Sequence, residues 1–132
     1  MLTGECFCGA VKYQINGDLD LMYHCHCSSC RKSSGASFVT NASFDASTFS
    51  LIEGHDLISD VDRGSHHRYH CSKCHSWVYG DSDQYPGVKF IPCGTLNEAP
   101  KKTVDHHVWV DSKAAWTKIN DELPQHAESQ PR

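Results

Sequence analysis

Cys25-His26-Cys27-Ser28-Ser29-Cys30 sets three thiols within six residues, close enough along the chain to converge on one ion. Working outward, a pair stands on either side of it, Cys6-Phe7-Cys8 before and Cys71-Ser72-Lys73-Cys74 after, while Cys93 stands alone. Spacings of one and two residues let two thiolates share a tetrahedral ion at metal–sulfur distances of ~2.3 Å. The two pairs supply four ligands, Cys6, Cys8, Cys71 and Cys74, and complete a closed site. The triplet Cys25, Cys27 and Cys30 supplies three and leaves one position open. Closed sites are structural, whereas three protein ligands with a place for water or substrate is the catalytic form. Zinc is expected at both, two ions per chain, because it is redox-inert and common in thiolate sites, although such sites also suit iron. A closed site here ties the first strand to a distant hairpin and so decides the fold. Spacing alone leaves two other partitions open. The triplet is closed by Cys93, by His24 or His26, or by one of His66, His67 and His70; or Cys6 and Cys8 combine with two members of the triplet.

The remaining sequence reads as short strands. Residues 10–16 alternate Val11, Tyr13 and Ile15 with Lys12, Gln14 and Asn16, the period of a half-buried strand. Further strand-like runs are 37–40, 49–53, 57–61, 67–70, 77–79, 88–91 and 107–110, each bounded by Gly, Asp, Ser, Asn or Pro, and together they predict a mainly β domain. One helical turn is expected over 27–33. A helix is expected over 112–120, with Ser112 as its cap and Ala115, Trp116 and Ile119 along it. Residues 1–123 read as one domain and 124–132 as a polar, frayed C-terminal tail.

Composition narrows the class. The chain has 132 residues, a net charge of -4, 39% hydrophobic and 21% charged residues, and a mean hydropathy of -0.51, the profile of a soluble single domain. Its 12 basic residues are scattered, so no nucleic-acid partner is expected. No apolar stretch reaches the ~20 residues of a membrane span. The N-terminus lacks the basic and apolar regions of a secretory signal, and a reducing cytoplasm is the expected setting. Eight Cys fall below the ~8–10% that marks secreted disulfide scaffolds.

Three thiolates on a divalent ion leave the site anionic, which weakens water activation and favours a fourth, soft ligand such as an incoming thiol. The chemistry suggested is making or breaking a bond between a thiol sulfur and an electrophilic carbon. Arg31 and Lys32 follow the triplet directly and are candidates to bind the carboxylates of an anionic thiol, or else form an ordinary solvated basic pair. The ten His read mostly as surface or supporting donors, since His66, His67 and His70 and the pair His106-His107 alternate in direction along strands. His26, between two ligands, is expected to point away from the metal. Cys93 reads as a small buried residue.

Gly4-Glu5-Cys6-Phe7-Cys8-Gly9-Ala10-Val11, Cys25-His26-Cys27-Ser28-Ser29-Cys30-Arg31-Lys32-Ser33-Ser34-Gly35-Ala36, Arg68-Tyr69-His70-Cys71-Ser72-Lys73-Cys74, Gly94-Thr95-Leu96 and Trp116 resemble the glutathione-dependent formaldehyde-activating enzyme family, which also contains centromere protein V. The resemblance implies a β-tent fold of small antiparallel sheets. It also implies one structural zinc on the CxC and CxxC cysteines and a second zinc on the triplet near a glutathione site. The implied activity is a carbon–sulfur lyase run in reverse, joining formaldehyde to glutathione. A non-catalytic zinc-binding module is the alternative that the centromere branch implies. Three positions depart from the family pattern: His75 where Gly usually follows the second CxxC, His70 before Cys71 in place of an aromatic, and Cys93 before Gly94-Thr95-Leu96.

Overall fold

A computed structural model of the chain describes residues 1–129. In chain order its strands are Leu2–Glu5 (β1), Lys12–Ile15 (β2), Leu21–Cys25 (β3), Val39–Asp45 (β4), Phe49–Glu53 (β5), Ile58–Arg63 (β6), His66–Cys71 (β7), Trp77–Ser82 (β8), Val88–Pro92 (β9) and His106–Val108 (β10). One short helix, Ser28–Ser34 (α1), connects β3 to β4. The chain is mainly β, as the sequence pattern requires. β1, β2 and β5 form a three-stranded sheet in that order, and the other seven form a sheet in the order β10-β3-β4-β9-β8-β7-β6. All pairings are antiparallel except β10 with β3. Among the described residues, no helix is long and apolar enough to cross a membrane.

The core lies between the two sheets. Val11, just before β2, and Tyr13 and Ile15 on the apolar face of β2 pack against Ala42 and Phe44 of β4, Val78 and Tyr79 of β8 and Ile91 of β9. The alternation seen in 10–16 therefore marks a buried face. An aromatic run joins the sheets, with Tyr13 and Phe49 stacked at ring centroids 5.6 Å apart and Phe49 and Tyr79 tilted at 4.7 Å. Such contacts add about 0.5–1.5 kcal/mol each beyond area burial. The Tyr13 hydroxyl hydrogen-bonds the Thr95 hydroxyl at 2.7 Å, so the Gly94-Thr95-Leu96 motif satisfies the polar end of a buried ring.

Sequence expectation and structure differ at three places. β1 and β3 are strands that periodicity did not mark: β1 (Leu-Thr-Gly-Glu) has no apolar alternation and is held by its pairing with β2. Residues 112–120 are not helical. Trp109 takes a left-handed conformation at φ 58°, a single 3-10 turn covers Val110–Ser112, and Lys113 is already extended. A nine-residue helix is marginal in water, and here Ala114 is buried while Trp116 turns outward to donate its indole N–H to Ser37 at 2.8 Å. The expected fraying of 124–132 is corrected for its first part. His107 donates to Pro124 at 2.9 Å, His126 to His107 at 3.0 Å, Trp109 to Glu128 at 2.9 Å and Val110 to His126 at 3.1 Å, so the tail extends the β10 edge. Residues 130–132 of that expectation lie outside the described residues.

At the other edge of the large sheet, His67 of β7 is held between two carboxylates, Asp60 Oδ2 at 3.1 Å and Asp83 Oδ1 at 3.0 Å. The hydrogen bond to Asp83, reinforced by that to Asp60, raises the His67 pKa above the ordinary imidazole range. A raised folded-state value stabilises the protein below the unfolded pKa and loses that contribution as pH rises through the folded one. The stability deficit of His67→Gln relative to wild type should therefore be largest near pH ~6 and shrink toward pH ~9. Denaturant midpoints across that range check it.

Candidate functional site

The first cysteine group forms where β1 ends. Gly9, at φ 79°, closes a tight turn in which Gly9 donates to the Cys6 carbonyl at 3.0 Å and Cys6 to Val11 at 3.1 Å. The Val11 N–H then donates to the Cys6 sulfur at 3.3 Å. Cys71 ends β7, and the turn after it is closed by His75 donating to the Cys71 carbonyl at 2.7 Å. His75 sits at φ 65°, the left-handed region a Gly would occupy without strain. The histidine therefore keeps the loop geometry at a cost of about 1–2 kcal/mol.

These turns bring Cys6, Cys8, Cys71 and Cys74 together, with one sulfur from each and all of them within 4.8 Å of one another. Cys6 and Cys8 sulfurs are 3.6 Å apart and Cys8 and Cys71 sulfurs 3.9 Å. A tetrahedral zinc with ~2.3 Å bonds requires sulfur separations of ~3.8 Å, so the donor set fits that ion. The distances also exceed the ~2.05 Å of a disulfide, and all eight Cys are free thiols. Burial opposes ionisation of Cys74, but the Ser76 hydroxyl, 2.8 Å from its sulfur, helps bring it down to about 5.

The triplet gathers at the other face of the large sheet. Cys25 closes β3, Cys27 caps α1, accepting from the Cys30 N–H at 3.3 Å, and Cys30 lies on the helix's buried side. Their sulfurs also lie within 4.8 Å of one another, Cys25 and Cys27 at 3.4 Å. Hydrogen bonds from the Cys25 and Cys30 thiols hold Cys27 down at about 2, while donation to Cys27 pushes Cys25 far up. Within the group Cys27 is thus the thiolate, and Cys25 and Cys30 are the thiols that donate to it.

Above it opens a cleft of about 620 Å³, within the usual ~300–1,000 Å³ of a small-molecule site. Tyr23, Tyr85, Phe90 and Trp109 supply apolar walls; Asn41, His66 and Arg68 supply polar groups. Arg68 is 7% exposed. It donates from Nη2 to the Cys30 sulfur at 3.7 Å, and its guanidinium lies 5.0 Å from the Trp77 ring centroid. Asn41 Nδ2 adds a 3.8 Å contact to the same sulfur.

Neither Arg31 nor Lys32 lines this cleft. Both occupy the last turn of α1, where cations complement the helix carbonyls. Arg68 and Asn41, which sequence reasoning did not single out, are the polar groups that meet the sulfurs. Cys93 is in neither cysteine cluster among the described residues. It packs with the central core, where burial pushes its thiol up to about 12. Alternation along β7 sets Arg68 on the face opposite Cys71 but gives no sign that this face is covered.

The family model for the glutathione-dependent formaldehyde-activating enzyme matches residues 1–112. A structural-genomics crystal structure of a Rhodobacter sphaeroides protein superimposes with a TM-score of 0.61 at 20% sequence identity, covering 75% of this chain and 91% of that one. That second likeness concerns the fold.

Proposed function

We propose, given that the chain belongs to the glutathione-dependent formaldehyde-activating enzyme family, that it is a zinc-dependent enzyme of carbon–sulfur lyase type. In the condensing direction it would join glutathione and formaldehyde to S-hydroxymethylglutathione. The observation that carries this reading is the convergence of Cys25, Cys27 and Cys30 at the floor of a cleft that also holds a buried arginine. The other cysteine group, Cys6, Cys8, Cys71 and Cys74, would hold a structural zinc and staple the sheets in the β-tent manner.

Zinc held by Cys25, Cys27 and Cys30 would supply a centre that favours thiolate over thiol. The chain's own groups do the rest. Arg68 and Asn41 hold the Cys30 sulfur by hydrogen bonds and offset the negative charge of three thiolates. The aromatic walls exclude water around the reacting sulfur. In the reaction the thiol sulfur forms a bond to the aldehyde carbon, the carbonyl π bond opens, and the thiol proton ends on the new hydroxyl. His66, exposed at the cleft wall, would pass that proton. The anionic ends of glutathione meet the cleft through Arg68, with Arg31 and Lys32 beyond the cleft contributing only to the surrounding positive field.

Exchange NMR on mixed glutathione and formaldehyde tests the reading. The protein should raise the rate of adduct exchange above the protein-free rate in proportion to its concentration. An unchanged exchange rate with a fully metallated protein would overturn it in favour of a non-catalytic zinc module.

A further inference from the structure

A ligand set of different chemistry assembles on the opposite face of the large sheet. We propose that His24, His107 and Asp121 form a site for a first-row divalent transition-metal ion, separate from both cysteine groups. The parallel pairing of β10 with β3 sets His107 beside His24, ring centroids 4.9 Å apart. Tyr23, Cys25 and Val108 line the thiol cleft, so strand alternation turns His24 and His107 to the other face. One ring nitrogen of each His and a carboxylate oxygen of Asp121 all lie within 4.8 Å of one another.

Both imidazoles are oriented through their far nitrogens. His24 Nδ1 is 2.8 Å from the Thr40 hydroxyl, and His107 Nδ1 is 2.9 Å from His26 Nε2. This is the arrangement in which metal-bound histidines are commonly held, and it leaves Nε2 as the donor on each ring. His107 Nε2 already meets both Asp121 oxygens, at 3.0 and 2.9 Å. Phe38 packs against His24 and His26 at 4.9 and 5.0 Å and keeps the inner side dry. His107 is 3% exposed while the Asp121 side chain is 43% exposed, so an ion can enter from solvent and keep open positions.

Binding an ion requires His107 Nε2 to give up its hydrogen bond to the Asp121 carboxylate, so the metal-bound His107 carries its single ring proton on Nδ1 and donates to His26 Nε2. Two neutral imidazoles and a carboxylate give a net charge of -1, so a divalent ion leaves the site cationic, the opposite of the tri-thiolate centre. Nitrogen and oxygen donors also select differently from sulfur, favouring zinc, nickel, cobalt, copper or ferrous iron at a site with open positions.

Cobalt(II) is a suitable probe for protein whose cysteine groups are first filled with zinc. Native mass spectrometry should count one cobalt beyond the zinc, and the ring-proton resonances of His24 and His107 should show paramagnetic shifts. Asp121→Asn and His24→Gln should each weaken cobalt binding by at least about tenfold, with zinc content and the far-ultraviolet circular dichroism unchanged. No cobalt uptake, an affinity unchanged in both variants, or paramagnetic shifts confined to other residues would overturn the proposal.

Discussion

Cys71→Ser is expected to remove most of the folding stability, and a strong chelator should do the same to the wild-type chain. Cys71 is fully buried in the main core and its sulfur lies 3.9 Å from that of Cys8. The two cysteine pairs come from the first turn of the chain and from the end of β7, so a metal between them closes a long loop. Apparent binding free energies of ~10–16 kcal/mol for structural zinc match or exceed the ~5–15 kcal/mol stability of a whole domain. With one ligand lost, the remaining thiols no longer hold the pairs together, and the serine hydroxyl is left in an apolar setting. Thermal melts followed by circular dichroism, together with zinc content, check this. A cooperative melt within a few degrees of wild type would show that the core stands without the metal.

Arg68→Met should lower kcat/KM for the proposed condensation by about 10- to 100-fold and weaken metal retention at Cys25, Cys27 and Cys30. A hydrogen bond from a charged group contributes about 1.5–3 kcal/mol, which converts to that range of rate. The methionine keeps much of the arginine's buried volume against Trp77, so the global melt should move less than the rate does. Arg68→Lys should recover only part of the activity, because an ammonium cannot stack on Trp77 and reach the Cys30 sulfur with one planar group. Exchange NMR for the rate and mass spectrometry for zinc separate the two effects. Unchanged rate with intact zinc in Arg68→Met would reduce Arg68 to a packing role.

The cysteine groups were legible because metal ligation leaves a local mark: tight spacing survives in the sequence whatever the rest of the chain does. The sheet was legible where a strand has one buried and one solvated face, as in β2. β7 shows why alternation can mislead, since Arg68 is charged yet buried in the cleft, and a periodicity argument treats it as surface. The segment 112–120 has helix-forming residues, but its conformation is decided by contacts far away in sequence, the Trp116 indole on Ser37 and Asp121 on His107. The approach of His24 to His107 follows from one parallel pairing, and parallel partners leave no trace in local spacing. Cys93, which spacing alone left open as a closing ligand for the triplet, packs with the core as a small buried residue does.

β7 serves two masters along six residues. Tyr69 and Cys71 face the core and the first cysteine group, while Arg68 faces the cleft and touches Cys30. Whatever is bound at one end therefore acts on the same strand as whatever is bound at the other. If a cleft ligand tightens the seating of Arg68 and so raises the affinity of the Cys6, Cys8, Cys71 and Cys74 group for its ion, that ion must raise the affinity of the cleft for its ligand by the same factor. The strand would then make ligand capture in the cleft and metal retention at the four cysteines one equilibrium read from two ends.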